Sequence, residues 1–141
     1  MAKYSDLEDL ARELMQHFDA LTKEYLVPLK SGQLARSEMA VLAFLAESGP
    51  MAMSEVSSRV GLALSSTTGL IDRLVDRKLV ERARAENDRR TVRVKLTTRG
   101  RRALEAAITD KIGLARGMLE RLEPPEREAM LRLFRKVSGG R

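Results

Sequence analysis

From Ala63 to Gly100 the chain reads ALSSTTGLIDRLVDRKLVERARAENDRRTVRVKLTTRG, and its apolar period changes partway along. Up to Lys78 the residues Leu70, Ile71 and Leu74 recur at helical spacing and share one face. After Leu79 the period becomes two. Val80, Arg82 and Arg84 alternate with Glu81, Ala83 and Ala85, and Val92, Val94 and Leu96 alternate with Thr91, Arg93, Lys95 and Thr97. Between these runs Glu86, Asn87 and Asp88 supply turn chemistry. The pattern predicts a helix over 63–78 followed by a β-hairpin with a basic tip. Upstream, 53–60 predicts a short helix with Val56 and Val60 inward, ended by Gly61. Two short helices joined by a tight turn at Gly61-Leu62 form a helix-turn-helix, and a basic hairpin directly after it makes a wing.

Working outward, 36–47 predicts another helix, with Met39, Val41, Leu42 and Leu45 on one face and a stop at Ser48-Gly49-Pro50. At the N-terminal end, Leu7, Leu10, Ala11, Leu14, Phe18, Leu21 and Tyr25 form one stripe of a long helix that Pro28 should end before a loop at Ser31-Gly32. Thr97 is placed to cap a further helix whose inner face runs through Leu104, Ile108, Ile112, Ala115, Leu119 and Leu122. Pro124-Pro125 opens a last helix carrying Met130, Leu133, Phe134 and Val137. The fold class is mainly α with a small β-hairpin wing, in a single domain over 1–141. Residues 35–97 form the winged helix-turn-helix lobe, and residues 1–30 and 99–141 are dimerisation helices. The long stripes exceed what one small lobe can cover, so a second copy should meet Leu7, Leu10, Leu14, Ile112, Leu119, Leu133 and Phe134.

Composition excludes several chemistries. The 141 residues include no cysteine, so there is no disulfide, thiolate zinc site, iron-sulfur cluster or thiol switch. The longest apolar run, Ala40 to Ala46, is far short of the roughly 20 residues of a membrane span, and no signal peptide is visible, so a cytoplasmic address and no membrane partner are expected. Catalysis is not expected either. His17 is the one histidine, and the chain has neither a Gly-rich phosphate loop nor a G-x-S-x-G elbow. Glu13 and His17 are one helical turn apart but lack a third ligand, so no metal or other cofactor is expected.

Charge is unevenly spread. Although Lys and Arg exceed Asp and Glu by only six overall, residues 77–102 hold eleven basic side chains against three acidic ones, while residues 1–27 hold three against six. A basic patch of that density is the electrostatic footprint of nucleic acid. Ser65, Ser66, Thr67 and Thr68 put short hydroxyls at the start of the second helix, where base edges or phosphates can be reached. Arg73 and Arg77 further along suit phosphates, and Gly69 suits a close backbone approach. At the hairpin, Arg89 and Arg90 with Arg84 and Arg93 suit a narrow minor groove, and Asp88 is expected to orient an arginine through a local salt bridge. Five aromatic residues are too few for a base-stacking platform, which favours duplex over single strands. His17, Phe18 and Phe44 are candidates for lining a ligand pocket.

The segment Leu70-Ile71-Asp72-Arg73-Leu74 with Leu79-Val80 resembles the recognition-helix end of the MarR family of winged-helix regulators. Asp88 to Gly100 is similar to that family's wing signature, D-R-R, an alternating strand, then L-T-x-x-G. The resemblance implies a homodimeric, mostly repressing transcription factor that binds a palindromic operator in double-stranded DNA and releases it when a small phenolic or lipophilic ligand binds. It also implies that Arg90 enters the minor groove, that Asp88 braces it, and that the first and last two helices form the dimer. Three departures stand out. Ala35, Ala52 and Ala63 occupy positions where the family has Ser, Thr or Asp caps, leaving Ser37, Ser54 and Ser65 as alternative caps two residues later. Leu64 and Gly69 replace a long polar side chain and an arginine, so an operator sequence cannot be transferred. Alternatives are a protein-protein adaptor on a helix-turn-helix scaffold and a constitutive DNA binder without a ligand.

Overall fold

The computed structural model describes residues 7–21, 34–84, 87–88 and 90–139. Their order is α1 (Leu7–Leu21), α2 (Arg36–Ser48), β1 (Met51–Ala52), α3 (Met53–Val60), α4 (Leu64–Asp76), β2 (Val80–Arg84), β3 (Val92–Leu96), α5 (Thr98–Leu119) and α6 (Pro124–Val137). The expected continuation of the first stripe to Tyr25, the stop at Pro28 and the Ser31-Gly32 loop lie outside the described residues, as does Arg89. No helix among the described residues is long and apolar enough to cross a membrane. The chain divides into two compact units, Gly32–Thr109 and a second made of Met1–Ser31 with Asp110–Arg141. The single domain expected from sequence is thus built as two units, and α5 runs through the boundary.

The first unit, Gly32–Thr109, holds every element from α2 to β3 and the first part of α5. Its strands lie in the order β1-β3-β2, all antiparallel, so the hairpin gains a third strand from Met51 and Ala52, paired with Val94 and Arg93. Two residues are too few for a period-two pattern to register. The hairpin pairs Val80 with Leu96, Arg82 with Val94 and Arg84 with Val92, which puts these six on one face of the sheet and Glu81, Ala83, Arg93 and Lys95 on the other. Beneath that first face lies one core: Val41, Leu42 and Leu45 of α2, Val56 of α3, Leu70, Ile71 and Leu74 of α4, with Met51, Leu79, Val80, Val94 and Leu104. Every helix face predicted for the lobe contributes to it.

Helix starts resolve the question of the caps. Ala35, Ala52 and Ala63 keep the cap positions with extended backbone, and Ser37, Ser54 and Ser65 fall inside the first turns, so the expectation that the serines might cap is corrected. Alanine has no side-chain acceptor. Instead, the carboxylate three residues on reaches back, Glu38 to the Ala35 N–H at 2.9 Å and Glu55 to the Ala52 N–H at 2.7 Å, which is the reciprocal half of a capping box. No side chain caps α4.

The exit of α4 and the exit of the wing are tied together at Leu79. Lys78 adopts a left-handed conformation, φ 58°, which turns the chain out of α4, and the Leu79 N–H then bonds to the Leu74 carbonyl at 2.9 Å. The Leu79 carbonyl accepts the Thr97 N–H at 3.2 Å, while the Thr97 hydroxyl lies 2.8 Å from the Lys78 carbonyl and 3.0 Å from that of Leu79. The same hydroxyl accepts the Gly100 N–H at 2.9 Å, the predicted cap of α5. Gly100 is there because of space: a Cβ would stand 2.0 Å from the Leu79 oxygen and 2.8 Å from Leu96 Cδ1. Gly100→Ala should therefore cost about 2 kcal/mol or more, read as a lowered midpoint in urea unfolding followed by circular dichroism. An unchanged midpoint would mean that α5 does not press on this carbonyl.

Candidate nucleic-acid interface

The α4 start carries the four hydroxyls expected to read DNA, and the fold separates them. Ser65, Ser66 and Thr68 are exposed. Thr67 is wholly buried and its Oγ1 donates to the Ala63 carbonyl at 3.0 Å, so its placement among the DNA-contacting residues is corrected. A signal for this was present in the sequence, since Thr67 stands three and four residues before the core residues Leu70 and Ile71 and shares their face. Thr68 Oγ1 donates to the Leu64 carbonyl at 2.9 Å, leaving its oxygen lone pairs outward. With no side chain capping α4, its first-turn N–H groups remain free for an acceptor from outside. Gly69 faces open space: a Cβ there would meet only Arg73 Nη1 at 3.9 Å, so no contact within the chain demands glycine.

Further along α4, one buried carboxylate organises the arginines. Glu38 of α2, 6% exposed, accepts from Arg77 Nη1 at 2.9 Å, and Arg73 Nε lies 4.0 Å from its other oxygen. Arg77 was expected to meet phosphate; its guanidinium is instead committed to holding α4 against α2, and that expectation is corrected. Arg73 keeps most of its side chain in solvent. Neither the spacing nor the period of the sequence links residues 38 and 77, so nothing short-range could have announced the pair.

The wing is fixed to the same helix by a second ion pair, Arg82 to Asp72. Arg84 lies one cross-strand pair further toward the tip on the same face of the sheet, the face that looks toward α4. Arg93 starts from the opposite face, where its Nη1 approaches the Pro50 carbonyl at 3.4 Å. At the tip Asp88 does brace Arg90, but through the backbone: Oδ1 accepts the Arg90 N–H at 2.9 Å and Oδ2 accepts the Thr91 hydroxyl at 3.1 Å. This is a local turn of the Asx kind; among the described residues no guanidinium pairs with Asp88, and the Arg90 side chain is exposed.

The remaining candidates are placed as follows. On α1, His17 Nε2 lies 3.7 Å from Glu13 Oε1, and Phe18 is 54% exposed. Phe44 of α2 packs on the lobe core and has the Arg59 guanidinium 5.6 Å from its ring centre. Leu7, Leu10, Leu14, Ile112, Leu133 and Phe134 are all exposed, and neither α1 nor α6 buries any residue among those described. Leu119 is half-buried and lines an apolar groove of about 390 Å³ with Met118, Met130, Leu131 and Phe134.

Comparison with known proteins agrees with this architecture. The model of the MarR family matches residues 33–91. HTH-type transcriptional regulator YwhA of Bacillus subtilis is 33% identical over 98 residues, covering 70% of each chain. YsmB of the same organism, another HTH-type regulator, is 42% identical over 79 residues, covering 56% of this chain and 54% of its own. The chain thus spans about half of YsmB, and 61% of the related regulator YfiV. Among solved structures, YusO from Bacillus subtilis shares the fold, with a TM-score of 0.85 at 23% identity over 99% of this chain and all of that one. Bordetella bronchiseptica BpsR, described for regulation of its DNA binding by 6-hydroxynicotinic acid, matches with a TM-score of 0.61 at 26% identity over 98% and 96%. A winged helix-turn-helix carrying an exposed basic wing defines a class of regulators. The chain belongs to the MarR family of transcriptional regulators.

The Glu38 arrangement yields a test. Arg77→Met leaves the buried Glu38 carboxylate with only the more distant Arg73 as a charged neighbour; because Arg77 itself is partly exposed, the cost should be about 2 kcal/mol rather than the larger figure for a fully buried pair. Thr67→Ser, which opens a methyl-sized gap in the core, should cost about 1 kcal/mol in the same unfolding titration, more than Thr67→Val, which fills the space and leaves the Ala63 carbonyl its bond from the residue 67 N–H. Equal stabilities of Arg77→Met and wild type would show that the pair contributes nothing.

Proposed function

We infer that the protein is a dimeric repressor that reads double-stranded DNA with the start of α4 and the wing. The observation that carries this reading is the presentation by α4 of exposed Ser65, Ser66 and Thr68 beside uncapped N–H groups, with the Arg84 side of the wing fixed to the same helix by the Arg82 to Asp72 bridge. Hydroxyls at a helix start can accept from or donate to base edges in a major groove, and free N–H groups there favour a phosphate. Arg73 and Arg84 supply phosphate contacts. Arg90, on the turn braced by Asp88, supplies the minor-groove contact, with Arg89 beside it in sequence.

Dimerisation follows from uncovered apolar surface. Leu7, Leu14, Ile112, Leu133 and Phe134 are each more than half exposed, and a stable monomer does not ordinarily leave such stripes in water. Two copies joined through these helices would present two recognition helices to a palindrome, about 34 to 36 Å apart or a multiple of that distance. Release by a small phenolic or lipophilic ligand is supported by the likeness to BpsR, with His17 and Phe18 as the candidate contacts on α1. An adaptor role has no observation in its favour.

Two outcomes are expected. Sedimentation equilibrium should report about twice the 15.8 kDa chain mass, and a monomer at micromolar concentration would contradict the dimer. In fluorescence anisotropy with duplex from the protein's own upstream region, Arg90→Ala should weaken binding and lower the slope of log affinity against log salt by about two, one for each wing of the dimer. An unchanged slope would mean that the wing makes no charged contact with DNA.

A further inference from the structure

Between the end of α2, α3 and β3 lies an open hollow of about 570 Å³. Its polar lining consists of Ser48, Ser54, Ser58, Arg59, Arg93 and Glu55. Ser54 and Ser58 are four residues apart on α3 and therefore neighbours on one helix face. The two arginines differ from those around α4. Arg73, Arg77 and Arg82 are each drawn to a carboxylate, whereas Arg59 and Arg93 are held by neutral groups. Arg59 Nη1 donates to Ser48 Oγ at 2.9 Å and its guanidinium lies over the Phe44 ring; Arg93 Nη1 donates toward the Pro50 carbonyl at 3.4 Å. Among the described residues neither is part of an ion pair. A guanidinium positioned by neutral acceptors keeps its full charge and most of its five donors available.

We propose that this hollow is a binding site for a phosphoryl oxyanion. Two guanidinium forks and three hydroxyls offer more donors than the two oxygens of a carboxylate can use, and suit the three or four oxygens of a phosphate group. The adjoining hollow shares Arg93 and Pro50 and adds Lys95 and Arg84 against the one carboxylate of Asp88, so basic groups outnumber acidic ones around the site. Glu55 is the opposing charge on the lining, but one of its oxygens is turned to the Ala52 N–H. It sets the sign of the sharpest test, because Gln also reaches back to a cap N–H and can replace it without loss of the α3 start.

Two sources share this chemistry, the backbone of DNA and a free phosphorylated small molecule. The proposal is tested with inorganic phosphate by following backbone amide shifts in an isotope-labelled sample at constant ionic strength. Saturable shifts centred on Ser54, Ser58, Arg59 and Arg93 are expected. Arg59→Gln and Arg93→Gln should each lower the affinity, and Glu55→Gln should raise it, by about two- to fivefold per exposed charge. Circular dichroism confirms that each variant is folded, and Arg59→Lys serves if Arg59→Gln is not. Repeating the titration with upstream duplex bound separates the sources: loss of the phosphate response assigns the site to the DNA backbone, and persistence assigns it to a free ligand. Shifts scattered over all surface arginines, or no rise in affinity for Glu55→Gln, would overturn the proposal.

Discussion

The carbonyl of Leu79 is the point on which the placement of the wing depends. It accepts the Thr97 N–H and lies within reach of the Thr97 hydroxyl, and the absence of a Cβ at Gly100 lets α5 pass against it. Three elements therefore meet at one atom: the turn leaving α4, the last strand of the wing and the first turn of α5. Each bond is ordinary in strength. Their combination leaves little freedom in the angle between recognition helix and wing, and that angle determines whether a hairpin arginine and a helix start can touch the same duplex. The L-T-x-x-G signature is thus chiefly structural. Threonine is required for a hydroxyl that both donates to the chain behind and accepts from the chain ahead, and glycine is required for room.

Around this joint the arginines fall into two sets by what holds them. Arg77 and Arg82 are anchored to Glu38 and Asp72 and fasten α4 to α2 and to β2. Such pairs fix orientation more than they add stability, and a net gain from the half-exposed Arg82 pair would be small. Arg59, Arg84, Arg90 and Arg93 have no carboxylate partner among the described residues and leave their charge outward. A high basic count in residues 77–102 therefore overstates the surface available to an anion, because part of it is spent internally. Asp88 belongs to the same economy of orientation: by taking an N–H and a hydroxyl of its own turn, it shapes the tip without neutralising it.

Much of this was legible in the chain. The change of period at Leu79, the hairpin with its turn residues and the core faces of α2, α3 and α4 follow from local patterns, because burial on one side of an element leaves its mark every two or every three to four residues. The buried face of Thr67 was legible too, once its spacing to Leu70 and Ile71 is followed. What could not be read is long-range. The pairing of Met51 with Val94 involves too short a strand for any alternation, the Glu38 to Arg77 and Asp72 to Arg82 pairs join residues with no shared period, and the acceptance of the Ala35 and Ala52 N–H groups by Glu38 and Glu55 becomes clear only when the helix starts are known. Ile108 and Ile112 illustrate the converse: their spacing correctly marks one face of α5, yet both are exposed, because the period reports that a face is apolar and not what covers it.

The central claim is that α4 and the wing meet one duplex together, the helix start in a major groove and the wing in the neighbouring minor groove. Hydroxyl-radical footprinting on the protein's upstream DNA tests it most directly, since cleavage reports the exposure of each sugar on both strands. The account predicts paired, two-fold related protections in which each recognition-helix contact is flanked by a minor-groove protection, and in which Arg90→Ala removes the flanking protection while leaving the central one. Uniform protection without sequence preference, or loss of both regions together in Arg90→Ala at saturating protein, would contradict it.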